Sequence, residues 1–288
     1  MYIERVIILK YKLVAIDLDG TLLNNDHEIP AENITTIREL RELGVQFVVV
    51  TGRADAMARK YVNTLGIKAP ILACNGATMR DVLSDEVYYL KHIARKPLIE
   101  LYNFFKSKNL YPRFYALDAV YTYNPDELNE DKNSFAIFSK RLAEYMDLKL
   151  FDNIEDLLAT DVKITKLVYA AADVATMIPL QEELKQIQGI EILRAAKNVL
   201  DIVTENVSKG KALLEYANGL GIDGNEIVAI GDGENDLSML SAVGFPVTLE
   251  NGEACLKAIA RMVTVSNDEA GVAKALKAIF SGERGNDD

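Results

Sequence analysis

Residues Val14-Ala15-Ile16-Asp17-Leu18-Asp19-Gly20-Thr21 form an apolar run that stops abruptly at two carboxylates one residue apart. A strand that buries Val14 and Ile16 delivers Asp17 and Asp19 to its C-terminal end. In an open α/β sheet that edge is where ligands sit. Side chains at i and i+2 of a strand point the same way, so the two acids start on one side. Carboxylates held this close repel, and a divalent cation or a shared proton is the usual reason to tolerate them. A strand ending in a plain Asp-Gly turn is the competing reading. Polar residues at later strand ends of the chain decide between the two.

The rhythm around this run is that of an α/β protein. Apolar positions Ile34, Ile37, Leu40 and Leu43 recur at helical spacing over 31–43, and Gly44 ends them. A strand at 45–50 stops at Thr51-Gly52-Arg53. A helix at 54–65 closes at Gly66, and a short strand at 71–74 ends in Asn75-Gly76. This βαβαβ opening predicts a doubly wound parallel sheet with helices on both faces.

The middle of the chain changes character. Tyr and Phe become frequent, strands are expected near 113–123 and 163–170, and helices near 96–108, 135–145 and 172–188. Strict alternation is lost, as in an α+β unit inserted into the first fold. From Val199 the opening rhythm returns: strands at 200–203, 226–230, 245–249 and 262–265, and helices at 209–220, 237–243, 253–260 and 269–280. The expected division is therefore a discontinuous core, 1–84 and 197–288, interrupted by a cap at 85–196. Residues 1–10 read either as a short leading strand or as an extension, and 281–288 as a frayed end.

Composition narrows the function. Among 288 residues, 43 acids against 32 bases leave a net charge of −11. That argues against nucleic acid or an anionic membrane as the main partner, but not against a small anion bound at a locally positive site. Cys74 and Cys255 are the sole cysteines and form no metal-ligand cluster, so a reduced, cytoplasmic protein is expected. The first ten residues are too short and too charged for a signal peptide, and no apolar run is long enough to span a bilayer.

Four strand ends or helix starts carry polar residues of one kind. Asp17 and Asp19 follow the first strand, Thr51-Gly52-Arg53 the second, Ser208-Lys209-Gly210 opens a helix, and Asp232-Gly233-Glu234-Asn235-Asp236 follows the strand at 226–230. A doubly wound fold can bring all four to one edge. Together they offer carboxylates, a hydroxyl, an ammonium group and amide donors. Those are the parts of phosphoryl transfer onto a carboxylate with a hard cation. An EF-hand loop starting at Asp17 is excluded. Leu22 stands where that loop needs glycine, and a strand precedes it rather than a helix.

In order along the chain, Asp17-Leu18-Asp19-Gly20-Thr21, Thr51, Lys209 and Gly231-Asp232-Gly233-Glu234-Asn235-Asp236 resemble the four motifs of the haloacid dehalogenase-like phosphatase superfamily. The insert after the third strand, following Ala73-Cys74-Asn75-Gly76-Ala77, is similar to the type II cap of the Cof-like subfamily. The resemblance implies a Mg²⁺-dependent phosphatase acting on a small phosphorylated metabolite, a sugar phosphate or a phosphorylated cofactor, as a monomer or homodimer. It implies Asp17 as nucleophile and Asp19 as general acid and base. Asp17, the Asp19 main-chain carbonyl and Asp232 would hold Mg²⁺, with Asp236 orienting a water on the ion. Thr51, Gly52 and backbone N–H groups around Gly20 would bind phosphate oxygens, and Lys209 would neutralise charge. Asn235 would meet the phosphoryl group or position Lys209.

Two alternatives stand beside this reading. A phosphomutase would need cap cations facing the site, for which Arg113, Lys163, Lys166 and Arg194 are the candidates. A non-enzymatic receiver domain also uses acids, a Thr and a Lys, but it places its phosphoacceptor on a later strand and lacks a large insert.

Overall fold

The computed structural model describes residues 9–124, 142 and 144–281. Its first sheet has eight strands: β1 (Leu13–Ile16), β2 (Gln46–Val50), β3 (Pro70–Ala73), β4 (Thr78–Asp81), β5 (Val87–Leu90), β12 (Ile227–Ile230), β13 (Phe245–Leu249) and β14 (Met262–Thr264). Their spatial order is β14-β13-β12-β1-β2-β3-β4-β5. The six strands from β14 to β3 are parallel, and β4 and β5 add an antiparallel margin.

Side-chain alternation explains why this sheet needs cover on both faces. Val14 and Ile16 join Phe47, Val49, Ile71 and Ile230 in a core against helices Ala31–Glu42, Asp55–Leu65 and Gly271–Ser281. Leu13 and Ala15 join Val48, Val50, Leu72 and Ala229 in a second core against helix Lys209–Gly219 and the short helix Leu237–Leu240.

The second sheet contains β6 (Arg113–Tyr115), β7 (Ala119–Thr122), β8 (Asp147–Leu150), β9 (Lys166–Ala170), β10 (Ile190–Ala196) and β11 (Val199–Thr204). Its order is β10-β11-β9-β6-β7-β8, antiparallel except for β7 with β8. One face packs on helices Arg95–Ser107, Ile154–Ala159 and Val174–Leu184 through Phe114, Leu167, Leu200 and Ile202. The other face meets the first sheet's loops, where Tyr115, Val120 and Val203 pack against Ala54, Cys74 and Ala77.

The inserted α+β cap is thus present, but its expected boundaries shift at both ends. Val87–Leu90 belongs to the core sheet, because a turn after Asp81 folds it back as a hairpin on β4. Val199–Thr204 belongs to the cap, paired between β10 and β9. Its apolar run reads like a core strand in one dimension. In space, Leu200 and Ile202 turn to the cap helices while Asp201 and Val203 turn to the core. The helix expected at 135–145 and the ends at 1–8 and 282–288 lie largely or wholly outside the described residues. Among the described residues, no helix is long and apolar enough to cross a membrane.

Candidate active site

Register brings the motifs together. Ile16 is aligned with Ile230 on one side and Val49 on the other, so β1, β12 and β2 end at nearly the same level. The ladder continues one step further, with Asp17 N–H donating to the Ile230 carbonyl at 3.0 Å and Thr51 N–H to that of Leu72 at 2.8 Å. Asp17, Thr51 and the loop after Ile230 therefore emerge at one edge. Beyond Asp17 the chain makes a tight turn, closed by Leu22 N–H to the Asp17 carbonyl at 3.2 Å. Gly20 supports that turn with φ +72°, and a Cβ there would fall 2.3 Å from Asp232 Oδ2. Glycine is required for conformation and for space alike.

Lys209 is the hub of the site. It opens its helix behind Ser208, whose side chain accepts the Lys211 N–H at 3.3 Å and caps the first turn. Lys209 is buried, and its Nζ donates to Asp17 Oδ1 at 2.7 Å and to Asp236 Oδ1 at 2.5 Å. The other oxygen of Asp236 accepts the N–H groups of Asp232 and Gly233, both at 3.0 Å. Asp236 thus ties the lysine to the loop that carries Asp232. Thr21 donates to Asp232 Oδ1 at 2.7 Å, joining the first motif to the fourth.

Oxygens of Asp17, Asp232 and Asp236 lie within 4.8 Å of one another. One ammonium group faces three carboxylates, so the cluster carries surplus negative charge. Burial, then Asp236, raises the Asp17 carboxyl well above its usual value, against the opposing pull of Lys209. Burial also pushes Asp232 up to about 6, although the Thr21 hydrogen bond works the other way. Burial by itself would lower the Lys209 ammonium, but Asp17 and Asp236 together hold it above its ordinary value. Asp17 and Asp232 each keep an oxygen that can hold a divalent cation, whereas both oxygens of Asp236, expected to orient a water on the ion, are taken by Lys209 and the loop N–H groups.

Asp19 is placed differently. Its side chain is about half exposed and is gripped by Arg53, with Nε donating to Oδ2 at 2.7 Å and a terminal nitrogen donating to Oδ1. It therefore stands apart from the carboxylate trio, and the ligand expected from it is the main-chain carbonyl. Asn235 also departs from one expectation. Its Nδ2 donates to Asn75 Oδ1 at 3.1 Å, while Lys209 is positioned by Asp17 and Asp236. Thr51 is buried, and its hydroxyl accepts the Arg53 N–H at 3.1 Å.

These residues floor a cavity of about 780 Å³. Asp17, Asp19, Thr51, Gly52, Asp232 and Asn235 line one end, and the cap contributes Tyr115, Tyr145, Lys166 and Asp201. Of the four cap cations a phosphomutase would recruit, Lys166 lines this cavity; Arg113, Lys163 and Arg194 are not among its lining residues. Lys166 donates to Asp201 at 3.0 Å, so its charge is already matched. The sequence pattern marks Arg53 and Asn75 only as strand-end residues and does not mark Asp201. A lone Arg after a strand, an Asn-Gly turn and an Asp in an apolar strand are ordinary features singly, and only their pairing marks them.

Acids on the C-terminal edge of a parallel sheet, a buried lysine among them and an inserted cap above define a phosphate-ester hydrolase. Over residues 14–276 the chain matches the haloacid dehalogenase-like hydrolase family. It is 30% identical over 295 residues to a 5-amino-6-(5-phospho-D-ribitylamino)uracil phosphatase of Bacillus subtilis, covering 94% of this chain and 99% of that one. A second Bacillus subtilis phosphatase is 30% identical over 282 residues, with 92% and 99% covered. Among solved structures, a haloacid dehalogenase-like hydrolase from B. subtilis aligns with TM-score 0.80 at 27% identity, over 92% of this chain and 99% of that chain. A subclass IIB sugar phosphatase shares the fold with TM-score 0.77 at 24% identity, over 94% and 99%. The chain belongs to the haloacid dehalogenase-like hydrolases, as a phosphatase, and not to the receiver domains.

Proposed function

We propose that this chain hydrolyses phosphate monoesters through a covalent phosphoaspartate on Asp17, with Mg²⁺ held by Asp17, Asp232 and the Asp19 carbonyl. The observation that carries the reading is the placement of Asp17. Lys209 holds its Oδ1, and among the described residues Oδ2 accepts no hydrogen bond, so one oxygen remains for attack. The donor set fits Mg²⁺: oxygens are the ligands this ion takes, and the surplus charge of three acids against one lysine is what a divalent ion would relieve. When bound, the ion supplies charge stabilisation and alignment for the phosphoryl group.

In the first step an Asp17 oxygen bonds to phosphorus as the ester P–O bond breaks, and Asp19 gives a proton to the departing alkoxide. In the second, Asp19 takes a proton from water as that water attacks phosphorus. The Asp17–phosphorus bond then breaks, releasing inorganic phosphate and restoring the carboxylate. Lys209 offsets the charge that gathers on Asp17 and the phosphoryl oxygens. Asp236 keeps Lys209 and the Asp232 loop in place. Arg53 fixes Asp19 at the cavity floor, and the Thr51 hydroxyl, which still has its hydrogen to donate, is a phosphate-oxygen ligand.

The substrate is a sugar phosphate or a phosphorylated cofactor, and the leaving group is its alcohol. A cavity of about 780 Å³ walled by Tyr61, Tyr115 and Tyr145 accommodates a ring-bearing metabolite, and the ribitylaminouracil phosphatase among the relatives supports testing ribityl and sugar phosphates first. The test is phosphate release across a panel of phosphometabolites with and without Mg²⁺. Release that requires the ion and favours one sugar or cofactor phosphate is the expected result. No release from any phosphomonoester, or equal release after exhaustive chelation, refutes the reading.

A further inference from the structure

A buried polar relay joins the cap to the floor of the cavity. Lys166 on β9 and Asp201 on β11 both turn toward the core, and Lys166 Nζ donates to Asp201 Oδ2 at 3.0 Å and to the Gly52 carbonyl at 2.7 Å. The same Asp201 oxygen accepts Asn75 Nδ2 at 2.8 Å, and Asn75 Oδ1 accepts Asn235 Nδ2 at 3.1 Å. Asn75, Asp201 and Lys166 are 0%, 2% and 5% exposed. The Asn75 backbone is held at φ 57° with its N–H on the Thr51 carbonyl at 3.0 Å. Gly52 gives the relay its room, since a Cβ there would come within 3.1 Å of Asn75 Oδ1.

Chemistry fixes the direction of every bond. A carboxylate opposite a lysine accepts and does not donate, so the Asn75 amide must show Asp201 its NH₂ and Asn235 its oxygen. Asn235 then must point its own NH₂ at Asn75. That nitrogen has two hydrogens, and Asn75 takes only one.

We propose that Asn75 and Asp201 are positioning residues that orient the Asn235 amide toward the transferring phosphoryl group, and that this alignment holds only while the cap is seated. The proposal deepens the phosphatase reading above and rests on it. Cap seating and phosphoryl alignment become one event, because Asp201 belongs to the cap while Asn75 and Asn235 belong to the core. Leaving such a buried chain half satisfied costs more than forming it gains, so the relay is engaged as a whole or lost. Lys166, held in its charged state by Asp201 despite the opposing effect of burial, anchors the cap end.

The test exchanges two isosteric side chains. Asn75→Asp sets two carboxylates against each other where the Asn75 amide donated to Asp201 at 2.8 Å. With the small substrate p-nitrophenyl phosphate and Mg²⁺, kcat should fall at least tenfold while KM moves less than threefold. The pair Asn75→Asp with Asp201→Asn restores a donor facing an acceptor on both sides of position 75 without changing net charge, leaves Lys166 with the Gly52 carbonyl as its acceptor, and should recover at least threefold of the kcat lost in the single variant. A residue that only supports the fold would lower the yield of folded protein without this split between kcat and KM. Should Asn75→Asp fail to fold, Asp201→Ala carries the test, since it frees the Asn75 amide to reverse; the same kcat loss is expected. The proposal is overturned by a folded single variant within twofold of wild-type kcat, or by a double variant no better than the single. An inactive wild type on every phosphomonoester overturns the phosphatase reading itself, which separates the two failures.

Discussion

Lys209 Nζ donates to Asp17 Oδ1 at 2.7 Å across 192 positions of the chain, and the bond is buried. It joins the start of a late helix to the end of the first strand. Because the same ammonium also holds Asp236, it is the only cation inside the carboxylate cluster among the described residues.

Removing that charge should damage both chemistry and stability. Lys209→Met keeps the length of the side chain but leaves Asp17 and Asp236 without their partner. Expected is a loss of about 10²–10³-fold in kcat. The metal-free protein should also lose about 3–5 kcal/mol, the cost of breaking a buried ion pair. Steady-state kinetics and chemical denaturation at neutral pH measure the two separately.

Asp17→Asn tests the nucleophile. The amide fits the same space and can still meet Lys209 through its oxygen, so the fold should persist. Hydrolysis should drop by at least about 10⁴-fold, as when a nucleophile is deleted from a working constellation. Acid quenching after mixing with labelled substrate should trap phosphate on the wild-type chain and none on the variant. Turnover near the wild-type rate in Asp17→Asn would rule out the covalent step.

Gly20→Ala probes the tight turn between the two acids. Alanine at φ +72° costs about 1–2 kcal/mol in backbone strain, and its methyl group would collide with Asp232 Oδ2. Displacement of Asp232 should weaken Mg²⁺ binding along with kcat. Isothermal titration with Mg²⁺ checks this, and unchanged affinity would dissociate Asp232 from the metal.

Burial raises Asp17, and it pushes the other carboxyl proposed to hold the ion, that of Asp232, up to about 6. In the folded, metal-free protein it keeps its proton to that pH, whereas the unfolded chain releases it near about 4. Between the two the folded state binds more protons. The stability this group contributes is therefore complete below the lower value and declines as pH rises through the upper one. Mg²⁺ competes with that proton. Its affinity should fall by at least about tenfold per pH unit below 6, with proton uptake by buffer detectable at pH 5.5. Calorimetric titrations in buffers of different ionisation heat give the proton count. Affinity independent of pH across this range would remove Asp232 from the ligand set.

Local pattern was enough for the parallel core and for the list of chemical groups. The apolar runs at β1, β2, β12 and β13 end in Asp17, Thr51, Asp232 and a loop, and a strand end in an open parallel sheet has one place to put them. Lys209 was legible because it opens a helix behind the capping residue Ser208. What stayed hidden depends on which strand lies beside which. The run Val199–Thr204 has the composition of a core strand, and only its pairing with β9 and β10 assigns it to the cap. That same pairing turns Asp201 inward onto Lys166 and Asn75. Likewise, Arg53 reaches Asp19 across 34 positions. Hydrophobic periodicity is a property of neighbours along the chain, so it predicts elements and their ends. A hydrogen bond between distant side chains is a property of packing, and it was settled only by which strands and sheets lie side by side.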